Sequence, residues 1–206
     1  MSHLIGIFGG TFDPPHRGHL ALAAAARSQL GLSRLLWVLT PDPPHKQILT
    51  ITPLSQRLSM LRLALAGHPD YELSMVETDR PGPHFALDTV RILARQNPGA
   101  GLVYLMGGDS LRDLPAWHRP LDLIAVLDAL GVMRRPGDAL DLQALEQVLP
   151  GLIAKVRWVE SPPVDISASE IRARAAAGRS FRRLVPPAVY SFIFDNGLYG
   201  MVKVRP

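Results

Sequence analysis

A chain of 206 residues without cysteine has room for one α/β domain with a well-buried core, and it excludes disulfide staples and thiolate metal sites. Its formal net charge of +4 and isoelectric point near 9.8 suit an anionic partner, yet the cations are scattered and mostly arginine, Lys46, Lys155 and Lys203 being the lysines. That distribution argues against a polynucleotide track, which needs a basic run or an aromatic ladder, and fits a small phosphorylated ligand held by planar guanidinium forks. No segment reaches the ~18 uninterrupted apolar residues of a membrane span, and no basic leader precedes an apolar core. The expectation is a soluble cytoplasmic protein with no membrane or nucleic-acid partner.

Leu4-Ile5-Gly6-Ile7-Phe8 is short, apolar and β-favouring, and Leu20 to Leu30 is a run of helix formers closed by Gly31. Between them lies Gly9-Gly10-Thr11-Phe12-Asp13-Pro14-Pro15-His16-Arg17-Gly18-His19, a glycine turn leading from a strand into a helix N-terminus. Backbone N–H groups and the positive end of the helix dipole favour an anion there, and the paired glycines let the backbone approach it. His16 and His19, three residues apart, share one face of the first turn and can donate to phosphoryl oxygens, more strongly if protonated. Capping or packing histidines are the structural alternative. Zinc lacks its supporting glutamate pattern and cysteines.

Leu35 to Leu39 reads as the next strand, ended by a proline-rich segment that carries Lys46 toward the same sheet edge. Pro53 to Ala66 has the helical period, with Leu54, Leu58, Leu61 and Leu65 as its core stripe and Arg57 and Arg62 on other faces. Tyr71 to Val76 reads as a strand and Ala86 to Gln96 as a helix stopped by Asn97-Pro98-Gly99. Leu102 to Met106 is a buried central strand that delivers Gly107-Gly108-Asp109-Ser110 to the crevice edge, Asp109 being a candidate N-cap for a short helix Ser110 to Leu114. Trp117 follows in a polar, proline-flanked segment. A helix at Leu121 to Val126, a strand at Ala129 to Met133 leading into Arg134-Arg135, a helix at Leu142 to Leu149 and a strand at Val156 to Val159 complete the alternation. The expected fold is a doubly wound, Rossmann-like parallel sheet, one domain over residues 1–206, with a small helical C-terminal region from about residue 166.

Ser167-Ala168-Ser169-Glu170-Ile171-Arg172 opens a further helix, with Ser167 and Glu170 in capping-box spacing, and Pro186-Pro187 opens a last one closed near Asn196-Gly197. GGTFDPPHRGH resembles the signature of the HxGH nucleotidyltransferases, in the form found in bacterial nicotinate-mononucleotide adenylyltransferases. Pro43-Pro44-His45-Lys46, Asp88-Thr89, Gly107-Gly108-Asp109, Trp117-His118-Arg119 and Ile166 to Arg172 follow in that family's order, so the resemblance spans nearly the whole chain.

The resemblance implies adenylyl transfer from ATP to nicotinate mononucleotide, with Mg²⁺ carried on the triphosphate. It assigns His16, His19, Lys46 and Arg172 to charge stabilisation on the phosphates. It assigns Gly9, Gly10, Thr11, Phe12, Gly107, Asp109, Ser167 and Ser169 to ATP, and Ala86, Asp88, Thr89, Trp117 and Arg135 to the mononucleotide. No protein metal site is expected. Two departures stand out. Phe85-Ala86 replaces the family's Tyr-Thr, removing a hydroxyl near the pyridine substituent, and Ala168 replaces a hydroxyl residue in the phosphate-binding turn. The competing readings are another HxGH transferase, such as a phosphopantetheine adenylyltransferase or a cytidylyltransferase, and a nucleotide-binding protein without catalysis.

Overall fold

A computed structural model describes residues 3–41, 51–134, 140–160 and 166–201. Lys46 and Arg135 lie outside the described residues. Six strands, β1 (Leu4–Gly10), β2 (Leu32–Leu39), β3 (Tyr71–Ser74), β4 (Gly101–Gly107), β5 (Ala129–Arg134) and β6 (Val156–Glu160), form one all-parallel sheet in the order β3-β2-β1-β4-β5-β6. The order reverses between β1 and β4, so the loops leaving their carboxyl ends part and open a crevice at the glycine turn. This is the expected doubly wound fold. The chain supplies helices α1 (Arg17–Gln29), α2 (Leu54–Leu65), α3 (Ala86–Gln96), α4 (Gly108–Asp113), α5 (Pro120–Val126), α6 (Leu142–Val148), α7 (Leu152–Lys155), α8 (Ala168–Ala176) and α9 (Pro187–Asp195).

Both faces of the sheet are dry, as the near-continuous apolar strands require. Ile5, Ile7, Leu36 and Val38 point to the face covered by α3 and α5, packing on Leu87, Val90, Leu93 and Leu123. Phe8, Leu35, Trp37 and Leu39 point to the opposite face, under Ala23 and Ala26 of α1 and Leu61 of α2. A third cluster joins Met60 and Ala64 of α2 to Ile171, Ala175, Phe181, Val189 and Ile193, which seats α8 and α9 against the sheet domain. The carboxyl end of β1 is thereby flanked by the C-terminal helices.

One residue of α2 departs from its sequence reading. Arg57 is 2% exposed, because it stands three residues after Leu54 and four before Leu61 and so belongs to the buried stripe rather than to another face. Its guanidinium donates to four backbone carbonyls: Thr52 (2.8 Å), Thr11 (3.2 Å), Thr40 (2.8 Å) and Pro41 (2.6 Å). It ties the glycine turn to the end of β2 and to the entry of α2. Arg57→Met, which keeps the stem and removes the donors, leaves those carbonyls without their partner. Each unsatisfied buried group costs ~1–3 kcal/mol, and the net loss expected in urea unfolding is about 2–4 kcal/mol. An unchanged midpoint would show that the clamp contributes nothing.

Candidate active site

The motif loop differs from its expected form in where the backbone is special. β1 continues through Gly10, and the left-handed residue is Phe12, at φ 46°. The glycines stand where a side chain would be crowded. A Cβ on Gly9 would lie 3.1 Å from the Tyr104 hydroxyl, and one on Gly10 would meet the Phe12 ring at 3.0 Å. Phe12 is buried, edge-on to Phe8 and to the His19 imidazole at 5.1 Å between centroids, so its side chain props His19 from the core. Only its main chain can serve a ligand.

Helix α1 starts at Arg17, and the two histidines perform the capping that Ser, Asp and Glu usually supply. The His19 N–H donates to His16 Nδ1 at 3.3 Å, and the His16 N–H donates to His19 Nδ1 at 3.1 Å. The rings stack with centroids 3.6 Å apart. Each Nδ1 therefore accepts, which puts the ring proton of a neutral imidazole on Nε2.

Arg172, on α8, reaches across and donates from Nη1 to the carbonyl of Asp13 at 2.7 Å. Asp13, absent from the candidates drawn from the sequence, is 6% exposed. Its carboxylate accepts from the Thr52 N–H (3.1 Å) and the Tyr199 hydroxyl (2.7 Å). Burial, then the Asp13 charge, raises the Tyr199 phenol above its usual range, so it donates as a neutral hydroxyl. Ser167 caps α8 by accepting from the Glu170 N–H, and its Oγ lies 3.1 Å from Ser169 Oγ. The reciprocal half of that capping box is absent, because the Glu170 carboxylate pairs with Arg174 instead.

On the other side of the crevice, Tyr104 stands edge-on to Trp117, with centroids 6.0 Å apart, and its hydroxyl faces Gly9. Burial raises the Tyr104 phenol. Phe85 stacks on His118 at 4.0 Å, which joins the start of α3, where Ala86 and Asp88 stand, to the segment carrying Trp117. The Trp117 N–H is spent on Leu114 within a 3-10 turn. Thr89 is 1% exposed, and its hydroxyl donates to Glu77 (2.7 Å) while accepting from Arg80 (3.1 Å). It anchors α3 from inside, between Glu77 and Arg80. Glu77 is buried beneath it, and desolvation raises its carboxyl. Asp109 is not the expected N-cap: α4 begins two residues earlier than Ser110, with Gly107 in the cap position, which leaves the Asp109 carboxylate exposed in the first turn, paired with Arg112 at 3.1 Å.

His16, His19, Arg172 and the glycine turn thus converge at the carboxyl end of β1, with Gly107 and Asp109 at the end of β4 beside it. Among the described residues no group of three histidine, cysteine or acidic side chains is arranged to hold a metal. The fold and loop define a doubly wound α/β protein with two histidines and an arginine gathered at the glycine turn. The model of the cytidylyltransferase-like family matches residues 7–174. The probable nicotinate-nucleotide adenylyltransferase of Thermomicrobium roseum is 47% identical over 98% of this chain and 94% of its own, and that of Gloeobacter violaceus 42% identical over 97% of each. The Plasmodium falciparum nicotinic acid mononucleotide adenylyltransferase complexed with NaAD shares the fold, with a TM-score of 0.79 at 18% identity over 97% of this chain and 98% of that one. The chain belongs to the cytidylyltransferase-like family, among its nicotinate-nucleotide adenylyltransferases.

The tautomer is directly measurable. Imidazole ¹⁵N spectra of the unliganded protein at mildly alkaline pH should show pyridine-like Nδ1 and protonated Nε2 for His16 and His19. A protonated Nδ1 in either ring would contradict the reciprocal cap.

Proposed function

We propose that the protein transfers the adenylyl group of ATP to nicotinate mononucleotide, giving nicotinate adenine dinucleotide and pyrophosphate, a step toward NAD. The observation that carries this reading is the reciprocal capping of His16 and His19, which presents two Nε2–H donors at a helix N-terminus beside Arg172. Each Nδ1 lone pair is engaged by a backbone N–H and each Nε2 carries the proton, so neither neutral imidazole turns a free electron pair on phosphorus. A mononucleotide phosphate is already an anion, so its oxygen attacks the α-phosphorus directly. The bond from that phosphorus to the oxygen bridging to the β-phosphate breaks, and pyrophosphate leaves with the electron pair. No proton needs to be removed. The protein aligns the two phosphates and stabilises charge with His16, His19, Arg172 and, from the segment following β2, Lys46.

Gly9, Gly10, Thr11 and the main chain of Phe12 line the phosphates, Ser167 and Ser169 open α8 toward the outer ones, and Gly107 and Asp109 meet the ribose. The Ala168 side chain offers no hydrogen bond, but its N–H still opens the helix. Mg²⁺ enters on the triphosphate: the buried Asp13 carboxylate is committed to Thr52 and Tyr199, and Asp109 is paired with Arg112.

For the acceptor, Trp117 and Tyr104 supply the aromatic wall for the pyridine, and Arg135 a phosphate contact after β5. The lost hydroxyl at Ala86 is replaced by main-chain donors. Phe85 makes no side-chain cap on α3, and the Ala86 and Leu87 N–H groups of its first turn are the donors assigned to the carboxylate. N–H groups accept a carboxylate and confront an amide's NH₂ with donors, so the acid is favoured.

His19→Ala should lower turnover roughly 100- to 1,000-fold while leaving ATP binding largely intact, as loss of one preorganised donor does. Near-normal turnover in a folded variant rejects the assignment. The acceptor is tested by kcat/KM for nicotinate and nicotinamide mononucleotides under matched ATP and Mg²⁺. One well-made charged hydrogen bond is worth about 1.5–3 kcal/mol, so the acid should lead by roughly ten- to a hundred-fold or slightly more. Equality, or an advantage for the amide, removes nicotinate as the substrate.

A further inference from the structure

Three non-glycine residues have positive φ among the described residues: Phe12, Arg119 and Tyr199. Residues held in that region pay for it sterically, and they persist where the surroundings fix them, often at functional sites. Phe12 is in the motif loop and Arg119 adjoins Trp117 and His118. Tyr199 has no such place in the sequence. It lies in the last described turn, Leu198–Gly200, at φ 60°, and its hydroxyl crosses to Asp13 at 2.7 Å.

We propose that Tyr199 is a positioning residue for adenylyl transfer: by fixing Asp13 it fixes the loop that presents His16 and the carbonyl on which Arg172 rests. The proposal builds on the function argued above. Asp13 has three anchors, and each leads to a different part of the chain: Thr52 before α2, Tyr199 after α9 and Arg172 on α8. Its side chain receives the first two and its backbone the third, so a shift of Asp13 moves Arg172 and the path into His16 together. With Asp13 almost fully buried, water does not substitute for a lost donor in the native packing. On its other side Tyr199 borders an open groove of about 580 Å³, shared with Thr52, Gln56, Leu198 and Arg172. Deleting the hydroxyl therefore removes one of the two donors to the buried Asp13 carboxylate and leaves the apolar packing of the ring in place.

A plain anchor for the C-terminal helices would affect stability alone, and a double-mutant cycle separates the two roles. Tyr199→Phe, Arg172→Lys and the pair are compared for kcat, both KM values and ATP affinity, with thermal unfolding in parallel. Misplacement of a catalytic array costs up to about 100-fold, and Tyr199→Phe should lower kcat roughly 10- to 100-fold with the mononucleotide KM little changed. The double variant should lose less than the product of the single losses, since both act through Asp13. Multiplicative losses, or wild-type kcat with only a lowered unfolding temperature, overturn the proposal. Should Tyr199→Phe not fold, Asp13→Asn paired with Arg172→Lys reads the same coupling, because Thr52 and Tyr199 donate to different carboxylate oxygens and the amide replaces one of them with an NH₂ donor; additivity there overturns it equally. If the wild-type protein releases no pyrophosphate with nicotinate mononucleotide, the functional reading fails, and the cycle is then scored on ATP affinity, where coupling supports the positioning role and additivity refutes it.

Discussion

Two backbone-to-imidazole hydrogen bonds at the start of α1 set the chemistry of the site. A helix N-terminus always has N–H groups in want of acceptors, and here the acceptors are the Nδ1 atoms of His16 and His19. Satisfying the helix fixes both ring rotamers, both tautomers and the stack in which the rings lie. The same bonds that begin the helix therefore decide which nitrogen each neutral ring keeps as a donor, Nε2–H, at the end of the helix where the dipole favours an anion. Phe12 packs edge-on behind His19, and Gly10 in the strand before it leaves room for the Phe12 ring.

The second constraint is how a site made from four distant stretches of chain holds together. Arg57 gathers the carbonyls of Thr11, Thr40, Pro41 and Thr52 from inside, and Asp13 gathers Thr52, Arg172 and Tyr199 from the C-terminal side. Both are buried charged groups whose hydrogen bonds are made largely to groups outside their own element, which is the condition under which burying them is tolerable. On the acceptor side the Arg80–Thr89–Glu77 chain does similar work beneath α3. Phosphate chemistry that relies on alignment, with no covalent enzyme intermediate, needs such rigidity around the reacting groups.

The sheet and most helices were legible because their signals are local. The helix Ala86–Gln96 has the same bounds in sequence and structure, since Leu87, Val90 and Leu93 keep helical spacing between a proline-rich loop and Asn97-Pro98. His16, His19, Arg172 and the glycine turn were legible as a motif. What the chain's pattern hides is contact at a distance. Asp13 and Tyr199 are 186 residues apart, and no periodicity links them. Thr89 reads equally well as a ligand contact or a buried anchor until Glu77 and Arg80 are found around it. Arg57 was misplaced for a different reason: its spacing from Leu54 and Leu61 marks it as buried, but its charge argues for the surface, and only four carbonyl partners resolve the conflict. The short α7, four residues long, is below the length at which a helical period can be recognised.

The central claim is that the site aligns two phosphates and stabilises charge without ever bonding to the adenylyl group. A single in-line displacement inverts the α-phosphorus, whereas a covalent adenylyl-enzyme, formed and consumed in two displacements, retains it. Turnover of ATP made chiral at the α-phosphorus distinguishes these in one product analysis. Inversion in the dinucleotide product is the result this account predicts. Net retention would contradict it and would require a nucleophile in the loop around His16 and His19.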